Sequence, residues 1–181
     1  MLSRQLTGAE MRPLEPWQAE EFAAYTAAHR EELVEFLPWA ETVVDVGSAR
    51  AFLQRYADGL ARDERRIYGL YDEHGRMLGG TLFRVFDAAA SMCEVGVWLS
   101  AEARGRGLVT EAARVMIDWA IDVRGIHRVE WHCSTTNTAS AAVARRLGMR
   151  LEGVHRESFR HRGRADDVEV WALLATERRA S

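Results

Sequence analysis

Apolar and polar positions along the 181-residue chain repeat with two different periods, and the changes of period divide it into elements. RQLTGAEMRPL, residues 4–14, alternates and predicts a first strand. Pro16 then opens a helix in which Trp17, Phe22 and Tyr25 are the expected apolar contacts, and a second short helix reaches Phe36 before Pro38 breaks the pattern. Ser48 is the expected cap of a further helix, where Phe52, Leu53, Tyr56 and Leu60 recur on one face. IYGLYDEHGRMLGGTLFRVF reads as a hairpin that turns at Glu73, His74, Gly75 and Arg76. The strand MCEVGVWL follows, then the amphipathic helix LVTEAARVMIDWAID and the strand HRVEWHC, in which Val129 and Trp131 alternate. Asn137 opens a last helix, TASAAVARRLG, ended by Gly148, and RLEGVHRESFRHRGRADDVEVWALLA forms two long strands joined by an Arg-rich turn around Gly163. Strands interleaved with helices predict a mixed α/β layer fold, and the length fits one domain over residues 1–181.

Composition narrows the setting. Hydrophobic content of 48% with 28% charged residues suits a globular chain, and no apolar run approaches the roughly 20 residues that span a bilayer. The start, MLSRQLTGAEMRPLE, has no apolar signal core, so the expected location is cytoplasmic and no membrane partner is expected. Cys93 and Cys133 lie in alternating strands and read as reduced core residues; WHC at 131–133 has no second ligand pair at zinc spacing, so no metal is expected. Residues 1–75 carry 8 Arg against 14 Asp or Glu, net −6, and residues 76–181 carry 16 against 13, net +3. All 24 basic residues are arginine, and each is a permanent forked donor suited to phosphate or carboxylate.

Candidate chemistry concentrates in EARGRGLVTEAA, where Arg104, Gly105, Arg106 and Gly107 stand directly ahead of a helix. Backbone N–H groups of such a loop and the positive helix end form an anion cradle that glycines let a ligand approach closely, and a pyrophosphate fits it best. The stretch lacks the GK[ST] of a Walker loop and the glycine spacing of a dinucleotide fingerprint, which argues against nucleotide hydrolysis and hydride transfer.

Arg104 and Gly107 ahead of a helix, preceded by EVGVWL and followed by Asn137, Ser140 and LGMRLEG, resemble the GNAT superfamily of N-acetyltransferases, whose acetyl-CoA loop reads Q/R-x-x-G-x-G/A. GVWLSAEARGRGLVTEAA, NTASAAVARRLGMRLEG and DDVEVWALL look most like the RimJ/RimL type, enzymes that acetylate the N-termini of ribosomal proteins. Val109 departs from the superfamily pattern, which prefers Gly or Ala there. The resemblance implies a central, mostly antiparallel splayed sheet flanked by helices and acetyl-CoA as cosubstrate. It further implies a pyrophosphate held by Arg104, Gly105, Arg106, Gly107, Leu108, Val109 and Thr110, and a pantetheine arm lying along Val97, Trp98 and Leu99, with Gly96 aiding a local bulge. Asn137 would contact the pantetheine, and Ser140 would lie near the thioester sulfur as the acid for the departing thiolate.

Acetyl transfer also needs a neutral amine and a stabilised oxyanion. Backbone N–H groups near Val97 to Leu99 could hold the thioester oxygen, and Glu94 could take the amine proton, directly or through water. Each residue has a structural reading as well: Trp98 as core packing, Glu94 as the partner of an arginine, and Asn137 with Ser140 as helix-capping chemistry. Seven arginines between Arg145 and Arg164 suggest nucleic acid in isolation, but strand alternation spreads them over two faces, so no direct nucleic-acid partner is expected; His155 and His161 read as exposed or hairpin residues. The sequence offers no clustered His–carboxylate pair as a dedicated base. The expected acceptor is therefore the more easily deprotonated α-amino terminus of a protein or peptide, such as a ribosomal protein. Acetylation of a small amine and a non-catalytic CoA-binding role are the alternatives. Oligomeric state stays open, with a homodimer through exposed apolar residues among the arrangements.

Overall fold

The computed structural model describes residues 3–178. Met1 and Leu2, part of the start read as lacking a leader, and the last three residues of the single-domain reading lie outside the described residues.

The expected first strand is two: β1 (Arg4–Leu6) and β2 (Ala9–Pro13), reversed at Thr7–Gly8, where Gly8 has φ of 76°. The Gly that interrupts the alternation is thus a turn, and the Thr7 amide donates to the Glu111 carboxylate (3.0 Å), pinning that turn to a later helix. After Pro16 the chain makes a single tight turn before α1 (Ala19–Ala28), so Trp17 precedes the helix and is 77% exposed, contrary to its expected packing role. Two one-turn helices follow, α2 (Arg30–Leu33) and α3 (Trp39–Thr42), and then α4 (Val46–Ala61). Asp45, not Ser48, is the N-cap of α4. The Ser48 amide donates to Asp45 Oδ1 (2.7 Å) while the Asp45 amide donates back to Ser48 Oγ (3.0 Å), a reciprocal capping box. Phe52, Leu53 and Tyr56 are buried as expected, whereas Leu60 is exposed at the end of the helix.

The remaining elements follow the predicted order: β3 (Arg66–Tyr71), β4 (Met77–Asp87), β5 (Met92–Leu99), α5 (Leu108–Asp118), β6 (Arg128–Ser134), α6 (Thr138–Arg146), β7 (Arg150–His161) and β8 (Arg164–Leu174). They build one eight-stranded sheet in the order β1-β2-β3-β4-β5-β6-β8-β7. All neighbours are antiparallel except β5 and β6. That parallel pair is short: Met92, Cys93 and Glu94 align with Arg128, Val129 and Glu130, and beyond them the strands part. From Gly96 to Leu99, β5 stays bonded to β4 while its other edge has no strand partner among the described residues.

Two apolar clusters cover the two faces. On one, α5 presents Leu108, Ala112, Ala113, Met116 and Ile117 to Val95, Val129, Trp131 and Trp171. Each large side chain fully buried this way stabilises the fold by roughly 1.5–3 kcal/mol. On the other face, α1 and α4 pack Phe22, Tyr25, Phe52, Leu53 and Tyr56 over Tyr71, Leu82 and Trp98. Alternation along β5 divides its residues accordingly: Val95, Val97 and Leu99 contact the α5 side, and Trp98 the α1–α4 side. Trp98 lies so close to β4 that a Cβ at Gly80 would sit 2.2 Å from its ring, which explains the Gly79–Gly80 pair in an otherwise bulky strand.

Candidate active site

Where β5 and β6 diverge, a cavity of about 540 Å³ opens through the sheet. Val97, Trp98, Asn137 and Ser140 line it together with Glu94, so sequence-predicted residues from two separate segments meet there. The loop 104–110 lies beyond the C-terminal end of β5, at the entrance to α5.

Loop geometry fits an anion. Gly105 and Gly107 have φ of 78° and 77°, a left-handed conformation costly for other residues, and among the described residues no atom beyond their chain neighbours lies within 4 Å of where a Cβ would stand. Gly107 is the N-cap of α5, and the first-turn amides of Leu108, Val109 and Thr110 have no acceptor within the helix. The arginine side chains are already engaged: Arg104 Nη2 lies 3.4 Å from Glu32 Oε2, and Arg106 Nη2 donates to the Glu102 carbonyl (3.2 Å). What the loop can offer an anion is therefore mainly backbone donors and the helix dipole, with the two cations at its rim.

Asn137 caps α6 as expected, its Oδ1 accepting from the Ser140 amide (3.0 Å). This cap fixes the first turn of α6 so that Ser140 Oγ accepts from the buried Trp131 Nε1 at 2.9 Å. A hydroxyl that accepts the indole N–H keeps its own proton to donate elsewhere. Cys133 lies beside it, next to Ser140 and Glu169, and burial pushes its thiol up to about 11, so it is a neutral wall of the cavity. Both cysteines are free thiols.

The opposite wall belongs to the α1–α4 face. Trp98 packs edge-on against Phe22 and Trp39, and its Nε1 is buried without a hydrogen-bond partner among the described residues, leaving one donor unused in the cavity wall. Glu94 is buried and held by Arg84, whose Nε donates to Oε1 at 2.6 Å while Nη2 donates to Oε2. The bulge that permits this pairing lies in β4, where Arg84 is the extra residue between Phe83 and Val85; Gly96, expected at a bulge, pairs in register with Leu82. With both oxygens in a guanidinium fork, Glu94 is placed as a fixed negative charge at the cavity, and a base role would compete with that fork.

Sequence reasoning missed His132. It lines the same cavity, with Nε2 2.9 Å from Glu130 Oε2 and Nδ1 3.8 Å from Glu94 Oε2, so a clustered His–carboxylate arrangement is present where none was expected. The signal was in the strand: if Val129 and Trp131 point one way, Glu130 and His132 share the other face. His161 sits in the β7–β8 hairpin, one of its two expected places, but is not exposed. It is buried, with Nε2 2.5 Å from the Val34 carbonyl, and fastens the tip of the β7–β8 hairpin to the segment between α2 and α3. Phe159 from this hairpin and Trp39 from α3 wall the cavity beside His155.

A short parallel pair splays beside a glycine-rich loop at a helix entrance. The profile of the acetyltransferase (GNAT) domain matches residues 11–150, and the chain belongs to that family. It is 29% identical over 167 residues to "Probable N-acetyltransferase YjcK" of Bacillus subtilis (strain 168), covering 91% of this chain and 92% of that protein. It is 24% identical over 142 residues to the ribosomal-protein-serine acetyltransferase of Escherichia coli (strain K12), covering 78% and 79%. Among solved structures, RimL, a ribosomal L7/L12 α-N-protein acetyltransferase in complex with coenzyme A, superposes with a TM-score of 0.87 at 23% identity, over 93% of this chain and 95% of that one. The protein is an acetyl-CoA-dependent acetyltransferase with the GNAT fold. Among the described residues, no helix is long and apolar enough to cross a membrane.

Proposed function

We propose that the enzyme transfers acetyl directly from acetyl-CoA to the α-amino group of a protein or peptide, such as the N-terminus of a ribosomal protein, in the cytoplasm. The observation that carries this reading is the cavity at the splay: it is open to the α1–α4 face, walled by Trp39, Trp98 and Phe159, and it holds a fixed carboxylate, Glu94, suited to an incoming ammonium. The names of the ribosomal-protein-serine acetyltransferase and of RimL point to the same acceptor class, whereas another relative is named an L-methionine sulfoximine/L-methionine sulfone acetyltransferase.

In this reading the amides of residues 104–110 hold the CoA pyrophosphate, and the pantetheine lies along the open edge of Val97, Trp98 and Leu99, completing the sheet as an added strand would. Asn137 bonds the arm while capping α6, and backbone N–H groups of the open edge receive the thioester oxygen. The amine attacks the thioester carbon, and Ser140 gives its proton to the departing sulfur, its oxygen steadied by Trp131.

Chemistry favours the α-amine. At pH 7 an amine of pKa about 8 is roughly one-tenth neutral, whereas a lysine near 10.4 is neutral in roughly one molecule of 2,500, a difference of about 3 kcal/mol. The net −6 of residues 1–75, which supply α1–α4, draws a basic peptide toward this side. Acetyl transfer to matched peptides tests the reading, one with a free N-terminus and no lysine, the other N-terminally blocked and containing lysine. Preference for the free N-terminus is expected; preference for the blocked peptide, or activity on small amines alone, would overturn it.

A further inference from the structure

We infer that His132 is the group that takes the proton from the acceptor ammonium; this deepens the proposed function and rests on its amine-to-thioester chemistry. Both ring nitrogens face carboxylates, but at different reach. The 2.9 Å contact from Nε2 to Glu130 Oε2 is a hydrogen bond, and because a carboxylate only accepts, it places a proton on Nε2. The 3.8 Å separation between Nδ1 and Glu94 Oε2 is too long for one, so the lone pair of the neutral ring is left on Nδ1, beside the carboxylate that attracts the ammonium.

The surroundings hold the ring in this orientation. Glu130 accepts from Arg128 Nε (2.7 Å), and Arg128 is paired in turn with Glu152. Glu94 is matched by Arg84, so each carboxylate facing the imidazole has its own arginine. His155 on β7 faces it edge-on with ring centroids 6.4 Å apart, and Val170, its neighbour on β8, is apolar. An orienting carboxylate, a basic nitrogen turned to the reacting side and a side chain still 24% exposed to water are what a group that accepts and releases one proton per turnover requires. Glu94, its two oxygens taken by Arg84, attracts the cation and steadies the imidazolium once formed.

The protons balance. The acceptor enters as R–NH3+ and gives one proton to Nδ1. The amine nitrogen bonds to the thioester carbon and the C–S bond breaks. The sulfur takes the Ser140 proton, which the second proton lost by the nitrogen replaces. One ammonium and one acetyl-CoA thus give one amide, one CoA thiol and one proton, released from His132 to water.

The test measures kcat/KM against pH for wild type and His132→Gln on whichever amine of a peptide and small-amine panel the wild type acetylates best; which amine that is judges the acceptor reading separately. The expected result is a loss of about 100-fold at pH 7, disappearance of the low-pH limb, and partial rescue of His132→Ala by added imidazole, with CoA affinity by calorimetry within about threefold of wild type. If His132→Gln does not fold, Glu130→Gln replaces it and is expected to move the low-pH limb to lower pH, because the imidazolium loses its anion. A rate within about threefold of wild type, an unmoved limb, a loss that imidazole does not rescue, or no acetylation of any amine by the wild type would overturn the assignment.

Discussion

The two faces of the sheet solve different problems with different materials. The α5–α6 face, assigned to CoA, is made of backbone and caps: left-handed Gly105 and Gly107, the open amides of α5, and Asn137 fixing the first turn of α6. The α1–α4 face, assigned to the acceptor, is made of side chains from distant segments: Trp39, Arg84, Glu94, Trp98, His132 and Phe159. Under the proposed function, a cosubstrate of fixed chemistry is bound largely by backbone groups, while the acceptor is bound by side chains that a sequence can change without disturbing the other face. The strands part just beyond the aligned pair Glu94 and Glu130, and there the faces communicate.

The largest expected effect breaks the CoA side alone. Gly107→Glu forces φ of 77° on a residue with a Cβ and puts a negative charge at the helix entrance, so CoA affinity measured by calorimetry should fall by about 100-fold or more. Unchanged affinity in a folded variant would remove the cradle from the account.

Ser140→Ala acts where the faces meet. It should lower kcat by roughly 10- to 1000-fold with CoA affinity nearly unchanged, since water can partly replace a positioned acid. An intact kcat would leave Ser140 as the acceptor for Trp131 Nε1 and no more.

A third substitution addresses the seam between the first half of the chain and the segment after α5. Asp63 accepts from Arg66 and, at 2.9 Å, from Arg124 Nη1, and the two guanidiniums lie over Phe86 and Trp119. The Arg124 hydrogen bonds, more than those of Arg66, hold its carboxyl well below the usual carboxylate range. A depressed carboxylate contributes stability that is present above the ordinary value near 3.9 and lost as pH falls through the folded value. Asp63→Asn should therefore cost about 1–2 kcal/mol at pH 7, much of it from leaving Arg66 buried without its anion, and the deficit should narrow below about pH 4. Thermal melts across pH measure this, with kcat/KM expected to hold at temperatures where the variant is folded.

The smallest effect is confined to the acceptor side. Trp98→Phe keeps an aromatic ring in the Phe22–Trp39 stack and removes the unpartnered Nε1 donor. KM for a peptide should rise about fivefold while CoA affinity stays as it was, the loss expected for one hydrogen bond to substrate. A shift in CoA affinity instead would put Trp98 on the wrong side of the division.

The same division explains what was legible beforehand. Groups that act within a few residues of one another, such as the loop 104–107 or Asn137 with Ser140, announce themselves by spacing. The acceptor wall does not, because Arg84 reaches Glu94 only through a bulge, and His132 reaches Glu94 only through a parallel pairing that local sequence does not specify. Errors in the fold had equally local causes. Gly8 hid a reversal inside an alternating run, Trp17 fell in the turn before α1, and Asp45 outcompeted Ser48 for the cap because its carboxylate reaches the amide three residues on.

The most direct test of the two-faced account is a crystal structure with a bisubstrate ligand, CoA joined through an acetyl linker to the α-amine of a peptide. The account predicts the pyrophosphate against the amides of residues 104–110, the arm along Val97 to Leu99 with the sulfur beside Ser140, and the peptide on the α1–α4 face between Trp98 and His132. A peptide leaving on the α5–α6 side, or an arm that does not pass between β5 and β6, would contradict it.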